Sequence, residues 1–438
     1  MTQFFLESNY PNLIKMTRLL KKKYLGHRET IHNFTWRALQ IFGKQGITFF
    51  IFLLCAKLLT PYEFGIYNYI LAVIFLLIIF GDFGISTATS KYVAEYNATD
   101  SNKLKLILFN SLIIILALGT ILTMLTIVFG SYFLNEKYVY VLYVLPMLFL
   151  APISSLYDGI FRGLKRFREL AIISLFIGFI SIFFVYLLVK NYGLTGALIS
   201  QSLFYLVLVV ALFLKYGKIN VRFDKQVLKS IFKYSLVIGF TSVAYFLYTK
   251  VDLIILGQYG HIEEIGYYEI VNKIFELIKL PTLIIANVLA PTITEYYSKK
   301  QYSIVKNKFK RHMFYSFYLG VFLSISLYFI MPYIIEFFFK EYFIRETIYI
   351  FNLLLLILPL RIVGTIVGQA HTIATGNAHF SLWTMIPAGI ANLFFDIIFI
   401  GYYGFIGVVY STIICFSFAI ISFIILYNLK LNKLMQGI

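Results

Sequence analysis

Ser111-Leu-Ile-Ile-Ile-Leu-Ala-Leu-Gly-Thr-Ile-Leu-Thr-Met-Leu-Thr-Ile-Val-Phe-Gly130 runs without a single charge. A helix rises about 1.5 Å per residue, so this stretch reaches about 30 Å, the thickness of a bilayer's hydrocarbon core. It is not alone. Of 438 residues, 60% are hydrophobic and 13% charged, where soluble domains are about half apolar and about a quarter charged. A soluble fold is excluded, and so is disorder, which needs low hydrophobicity. The two cysteines, Cys55 and Cys415, lie far apart inside apolar runs and exclude a disulfide scaffold. A transmembrane barrel would alternate in segments of about ten residues, and these runs are continuous.

Twelve such segments are read: 34–56, 66–88, 106–130, 138–158, 170–189, 194–214, 234–256, 265–294, 312–335, 347–369, 380–400 and 404–427. Arg37, Gln40 and Lys44 interrupt the first, and Glu269, Lys273, Glu276 and Lys279 the eighth. Ionisable residues inside a span mark functional sites. Lys and Arg set orientation, because they stay on the cytoplasmic side. With both termini inside, 27 of the 38 fall in cytoplasmic segments, five in outer loops (Lys57, Lys137, Lys190, Lys340, Arg345) and six within spans. The net charge of +18 is therefore a topology signal and an attraction to anionic lipids. Its dispersal over short loops argues against nucleic acid as a partner. Before the first span, Leu13, Ile14, Met16, Leu19 and Leu20 interleave with Lys15, Arg18 and Lys21. That pattern suits a helix on the cytoplasmic interface or a solvated basic tail. It is not a signal peptide, since no small-residue cleavage site follows the apolar run.

The chain repeats itself. Glu63-Phe-Gly-Ile-Tyr67 returns as Glu264-Ile-Gly-Tyr-Tyr268. Pro146 and Pro359 each precede a glycine, Gly163 and Gly376, by 17 residues. Gly193-Leu-Thr-Gly196 returns as Gly404-Phe-Ile-Gly407. Six spans per half is an even number, so the two halves enter from the same side as parallel repeats. The expected fold is an all-α integral membrane protein of about 12 transmembrane helices in two six-helix lobes, with N and C termini cytoplasmic. The expected organisation is a basic N-terminal segment 1–33, an N-lobe 34–214, a cytoplasmic linker 215–233 and a C-lobe 234–438. Gly65 and Gly266 are expected at outer turns before spans 2 and 8.

The cations inside spans are Arg37, Lys44, Lys250, Lys273, Lys279 and Arg361; the acids are Asp82, Asp252, Glu269, Glu276 and Asp396. Each costs about 2.5–3.5 kcal/mol at a helix centre, so they must face protein, water or one another. Residues three or four apart share a helix face. Asn33, Arg37, Gln40, Lys44 and Thr48 form one stripe, Thr241, Tyr245, Tyr248 and Asp252 a second, and Glu269, Asn272, Lys273, Glu276 and Lys279 a third. Within the third, Glu269–Lys273 and Glu276–Lys279 stand at i,i+4 and i,i+3 spacing, so the stripe reads either as internal salt bridges with a structural role or as part of the cavity. A cation-lined cavity suits an anionic solute, above all a phosphate.

No Walker A loop, nucleophile elbow or His/Cys cluster with metal spacing is found, and Asp100, Asp158 and Asp224 stand isolated. His371 and His379 read as polar loop residues. No catalytic residue, metal or cofactor is expected; transport, not enzymatic chemistry, fits.

Asn33-Phe-Thr-Trp36, Ala56-Lys-Leu-Leu-Thr-Pro-Tyr-Glu-Phe-Gly-Ile-Tyr67, Phe80-Gly-Asp-Phe-Gly-Ile85, Lys91-Tyr-Val-Ala-Glu-Tyr96 and Lys250-Val-Asp-Leu-Ile-Ile-Leu-Gly257 resemble the Wzx-type polysaccharide biosynthesis flippases. Those belong to the multidrug/oligosaccharidyl-lipid/polysaccharide exporter superfamily. The resemblance is diffuse and covers nearly the whole chain. It implies alternating access and translocation of an isoprenyl-pyrophosphate-linked oligosaccharide to the outer leaflet of the plasma membrane, for O-antigen or capsule export. It also implies a cavity for pyrophosphate and acidic sugars, which falls on Arg37, Lys44, Lys250, Lys273 and Arg361. Asn33, Gln40, Tyr245, Tyr248 and Asn272 would give polar support, and Asp82, Asp252, Glu269 and Glu276 would couple an ion. Expected partners are the polyprenyl-pyrophosphate-linked oligosaccharide, anionic membrane lipids, and polysaccharide polymerase or glycosyltransferase machinery. The alternatives are a cation-coupled multidrug or metabolite exporter of the same superfamily and a membrane scaffold.

Overall fold

The computed structural model describes residues 11–217 and 220–436, with side chains from residue 32 onward except 34 and 101. The amphipathic face read over residues 13–21 lies outside the described side chains. Among the described residues every regular element is helical. The first half holds α1 (Pro11–Leu58), α2 (Pro61–Asp82), α3 (Ile85–Thr99), α4 (Ser101–Leu134), α5 (Tyr138–Val144), α6 (Met147–Gly163) and α7 (Phe167–Tyr216). The second holds α8 (Lys225–Thr249), α9 (Val251–Gln258), α10 (Ile262–Ser298), α11 (Tyr302–Phe338), α12 (Arg345–Leu355), α13 (Leu358–Ile366), α14 (His379–Tyr403) and α15 (Ile406–Met435).

Local chemistry explains the starts and breaks. Thr60 Oγ1 accepts the Glu63 N–H at 3.3 Å, and Glu63 Oε2 accepts the Thr60 N–H at 3.0 Å. This reciprocal cap, followed by Pro61, opens α2. Asp100 caps α4 and Asp224 caps α8, each through two backbone N–H groups. These two acids, isolated in sequence, are therefore structural. Span 2 breaks after α2, where Phe83 and Gly84 both take left-handed backbone angles, and continues as α3.

Among the described residues nine helices are long and apolar enough to cross a membrane, or ten with the bent pair α12 and α13, which turns by 49°. The 50-residue α7 is two helices, because Gly193 at φ 54, ψ −132 reverses the chain within it. Joined across Leu145-Pro146, α5 and α6 supply the remaining crossing. Twelve crossings result. Their outer faces carry Phe129, Phe176, Phe179, Phe322 and Tyr402, each at least half exposed. Against hydrocarbon that exposure costs nothing, which accounts for much of the aromatic excess.

The duplication is visible in backbone detail. Gly193 (φ 54) and Gly404 (φ 59) turn equivalent hairpins, and a Cβ on Gly196 or Gly407 would strike the backbone of the preceding helix at 2.0 or 2.3 Å. Pro146 and Pro359 stand at the equivalent breaks of spans 4 and 10. Gly65 and Gly266 depart from the expectation. Both lie inside helices, and a Cβ on Gly65 would approach the Ile262 carbonyl oxygen within 1.9 Å. They are where α2 and α10 cross between lobes. A tight crossing and a tight turn both select glycine, so spacing alone did not separate them.

The lobes join at the outer end. Phe64 packs edge-on to Tyr342 at 5.6 Å, Phe52 to Phe339 at 6.4 Å, and Gln258 Nε2 donates to Tyr69 Oη at 2.9 Å. On one flank α3 also meets α8, where Gly239 lies under the Phe83 ring and Lys91 Nζ sits 4.2 Å from the Tyr234 ring centre.

Candidate functional site

A cavity of about 950 Å³ lies between the lobes, lined by α1, α2, α6 and α7 on one side and α8 and α10 on the other. It extends from Arg37, Asp158 and Arg162, at the end that the Lys/Arg distribution assigns to the cytoplasm, inward to Tyr67 and Gln201. A second cavity of about 620 Å³ lies inside the C-lobe. Tyr245, Thr249, Lys250 and Glu276 line both and join them.

On the N-lobe side the span 1 stripe faces the cavity. Arg37 donates to Gln40 Oε1 at 2.5 Å, and Gln40 Nε2 donates to Asp158 Oδ2 at 3.1 Å. Asp158 also pairs with Arg162 at 2.7 Å and stands 3.8 Å from Arg37. Asp158 is thus not isolated; α6 brings it beside α1, a contact across 118 positions that no local spacing reveals. Lys44 lines the same cavity and has no ion-pair partner within 4 Å among the described residues. Asn33 lies one turn before Arg37 and does not line the cavity.

The third stripe pairs differently from its sequence spacing. Lys250 Nζ contacts both oxygens of Glu269, at 2.9 and 3.0 Å, and Asn272 donates to Glu269 at 3.3 Å. Lys273 pairs with Glu276 at 3.0 Å. The Glu269–Lys273 and Glu276–Lys279 pairs that this spacing offers are absent from these contacts. The chain breaks at Lys250, whose backbone leaves helical angles between α8 and α9, and the freed side chain takes Glu269. Lys279 is left without an ion pair among the described residues. Arg361 is in the same position: its guanidinium carbon stands 4.4 Å from the Phe416 ring and 5.5 Å from the Phe275 ring, and its Nε is buried without an acceptor. Both line the second cavity with Tyr245, Tyr248 and Asn272.

The expected acids separate into roles. Asp82 accepts the backbone N–H groups of Gly84 and Ser86 at 3.1 and 3.2 Å and the Ser86 hydroxyl, so it holds the span 2 break while touching the main cavity. Asp252 turns away from both cavities into the C-lobe core. It accepts from Tyr268 Oη at 2.5 Å, Asn392 Nδ2 at 2.6 Å and Thr412 Oγ1 at 2.9 Å. The break at Lys250 explains why Asp252 leaves the face of Tyr245. Asp396 is fully buried, one turn beyond the Asn392 that donates to Asp252, and among the described residues no donor stands within hydrogen-bond distance of its oxygens. His371, read as a loop residue, is buried in a π-helical turn, Val367–Ile373, with its Nε2 3.0 Å from His312 Nδ1.

The polysaccharide biosynthesis protein family matches residues 30–297, well over half of the chain. The chain belongs to that family. The MatE family also matches, over residues 238–398. Together they place the protein in the multidrug/oligosaccharidyl-lipid/polysaccharide superfamily. An uncharacterised membrane protein of Methanocaldococcus jannaschii is 28% identical over 230 residues, which is 49% of this chain and 55% of that relative. The match spans about half the length of each. Among solved structures, an inward-facing multidrug resistance MATE family transporter superposes with TM-score 0.75 at 17% identity, over 91% of this chain and 99% of that one. The lipid II flippase MurJ, in an inward closed conformation, gives 0.70 at 18% identity, over 92% and 89%. An outward-facing MATE family transporter gives 0.62 at 18% identity, over 92% and 96%. These solved structures thus share the fold of this chain.

Proposed function

We propose that this protein is a flippase that carries an isoprenyl-pyrophosphate-linked oligosaccharide from the cytoplasmic to the outer leaflet of the plasma membrane by alternating access, for cell-surface polysaccharide export. The observation that carries the reading is the charge balance of the N-lobe wall. Arg37, Lys44 and Arg162 face two acids there, Asp158, which they surround, and Asp82, which is engaged by Gly84 and Ser86, so the wall keeps an excess of positive charge. Cations there cannot neutralise one another, and a pyrophosphate supplies what the protein lacks. The four charges of α8 and α10 nearest to them are already matched, as Lys250–Glu269 and Lys273–Glu276. The lipid tail would stay in the bilayer while the head group occupies the cavity. The work is binding and rocking, with no bond made or broken by the chain.

The test is reconstitution into liposomes with delivery of labelled lipid-linked sugar to the outer leaflet as the readout. Each hydrogen bond to a charged group contributes about 1.5–3 kcal/mol. Replacing Arg37 and Lys44 together by Ala should therefore cut delivery at least about tenfold. Unchanged delivery counts against the reading.

Ion coupling is assigned here to Asp252 and Asp396. Two carboxylates packed together away from water require a shared proton or a cation between them. Asp252→Asn and Asp396→Asn should each remove the dependence of delivery on a proton or sodium gradient. Persistence of that dependence in both variants would remove the assignment.

A second reading, a cation-coupled multidrug exporter, is favoured by the MatE match over the C-lobe. The free cations of both cavities oppose a cationic passenger. Accumulation of a fluorescent cationic dye by inverted vesicles would decide for it.

A further inference from the structure

Aromatic rings close the cavity between the lobes toward its outer end. Phe52 lines the cavity and packs edge-on to Phe64 at 5.1 Å and to Phe339 at 6.4 Å. Phe64 packs edge-on to Tyr342 at 5.6 Å, and Tyr342 to Tyr267 at 6.2 Å. Phe52 and Phe64 belong to the N-lobe, whereas Tyr267, Phe339 and Tyr342 belong to the C-lobe. The seal is therefore split between the two bodies that must part.

Tyr342 is the odd member. It lies in the short turn Lys340–Tyr342, between α11 and α12. Lys340, Glu341 and Phe343 around it are exposed, yet its own side chain is folded inward and fully buried. Its hydroxyl is buried too and meets no donor or acceptor among the described residues. A buried tyrosine hydroxyl normally finds a partner, and those nearby do. Tyr67 accepts from Gln201 at 2.8 Å and Tyr69 from Gln258 at 2.9 Å. Tyr267 donates to Glu263 at 3.0 Å and Tyr268 to Asp252 at 2.5 Å. Among the described residues Tyr342 is the one tyrosine whose buried hydroxyl has none.

The two parts of this side chain pull in opposite directions. The ring fills the junction and favours closure. The hydroxyl gives up water when the junction closes and receives no hydrogen bond in return. When the lobes part, Phe64 withdraws and water from the outer face reaches the hydroxyl. An unpaired buried polar group shifts an equilibrium toward the states that pair it by about five- to 150-fold.

We infer that Tyr342 is a positioning residue for the transport cycle, whose unpaired hydroxyl weakens the closed outer junction and so sets how readily it opens. The inference rests on the alternating-access part of the proposed function and is independent of which passenger is carried.

The test is pulsed electron paramagnetic resonance on the full-length protein in nanodiscs, with spin labels at Lys190→Cys and Gly401→Cys. Both positions are exposed and lie on the outer hairpins, one on each lobe, so the distance between labels follows the separation of the outer ends. The labelled parent should show a short, closed population and a long, open one. Adding Tyr342→Phe, which removes one oxygen and keeps the ring, should lower the ratio of open to closed by at least about fivefold. Tyr267→Phe, which removes a hydroxyl that has a partner, should not lower it. A hydroxyl with a merely structural role would move the melting temperature and leave this ratio alone. The inference is overturned if Tyr342→Phe leaves the ratio unchanged or raises it, if Tyr267→Phe lowers it equally, or if the parent shows the closed distance alone. Delivery of lipid-linked sugar in liposomes reads the flippase assignment separately. Delivery by a protein whose ratio ignores Tyr342→Phe refutes the role of the hydroxyl and leaves the flippase standing. The expected shift in a protein that delivers nothing supports that role and removes the flippase.

Discussion

Asp158 has the most consequential position of any single residue. One carboxylate restrains two guanidinium groups and a buried amide, Arg37, Arg162 and Gln40. Each partner sits on an element that must line the cavity, so the acid keeps two like charges within one wall. Removing it leaves Arg37 and Arg162 to repel each other. Asp158→Asn should therefore lower unfolding stability by about 1.5–3 kcal/mol, the range for hydrogen bonds to charged groups, seen as a lower melting temperature in detergent. A melting temperature equal to the wild type would mean that water already screens the network. Lys44, about two helical turns from Arg37, has no such restraint and stays available to a ligand.

Interrupted helices are the recurrent device among the elements. Breaks at Phe83-Gly84, Pro146, Lys250 and Leu356-Ile357 divide spans 2, 4, 7 and 10. Two of these breaks engage polar side chains, and Asp82 holds the one at Phe83-Gly84. The one at Lys250 sends its ammonium to Glu269 and turns Asp252 into the C-lobe core. The hairpins at Gly193 and Gly404 are of another kind. Their backbone angles lie close to a region that only glycine enters readily, where a side chain costs about 1–3 kcal/mol. Gly193→Ala and Gly404→Ala should each lose about that much stability, and by similar amounts, because the two hairpins are equivalent. Unequal losses in chemical unfolding would show that the repeats have diverged energetically despite their shared geometry.

For the whole molecule, the joined outer end and the cavity reaching the cytoplasmic end describe one face of a transport cycle. Alternating access requires the outer junction to separate. Tyr69 and Gln258, in hydrogen-bond contact across it, are its natural reporters. With Tyr69→Cys and Gln258→Cys in place, a short bifunctional thiol reagent should link the lobes and arrest transport, and a reducible version should release it. The native thiols, Cys55 and Cys415, are buried. Transport that continues while the link is intact would rule out separation at this junction.

The length and purity of the apolar runs were enough to establish a helical membrane protein of twelve crossings, because lipid leaves the backbone no option but to satisfy itself within each span. The internal repeat was equally legible, since Gly193 and Gly404, or Pro146 and Pro359, impose the same backbone geometry wherever they stand. The membership of the polysaccharide biosynthesis family followed from patterns spread over the chain. Helix periodicity also placed Arg37, Gln40 and Lys44 on one face. What periodicity could not supply was the partner of each charge. The pairing of Lys250 with Glu269, the approach of Arg37 and Gln40 to Asp158, and the burial of Asp252 against Asn392 all join residues on different elements. Electrostatic energy depends on distance in space, and only the packing of α1 and α6 on α7 and the breaks in spans 2 and 7 set those distances. Gly65 and His371 teach the same lesson, one taken for a turn and the other for a loop. Local preference names the residue types a position tolerates, whereas the neighbouring helix decides what the position is for.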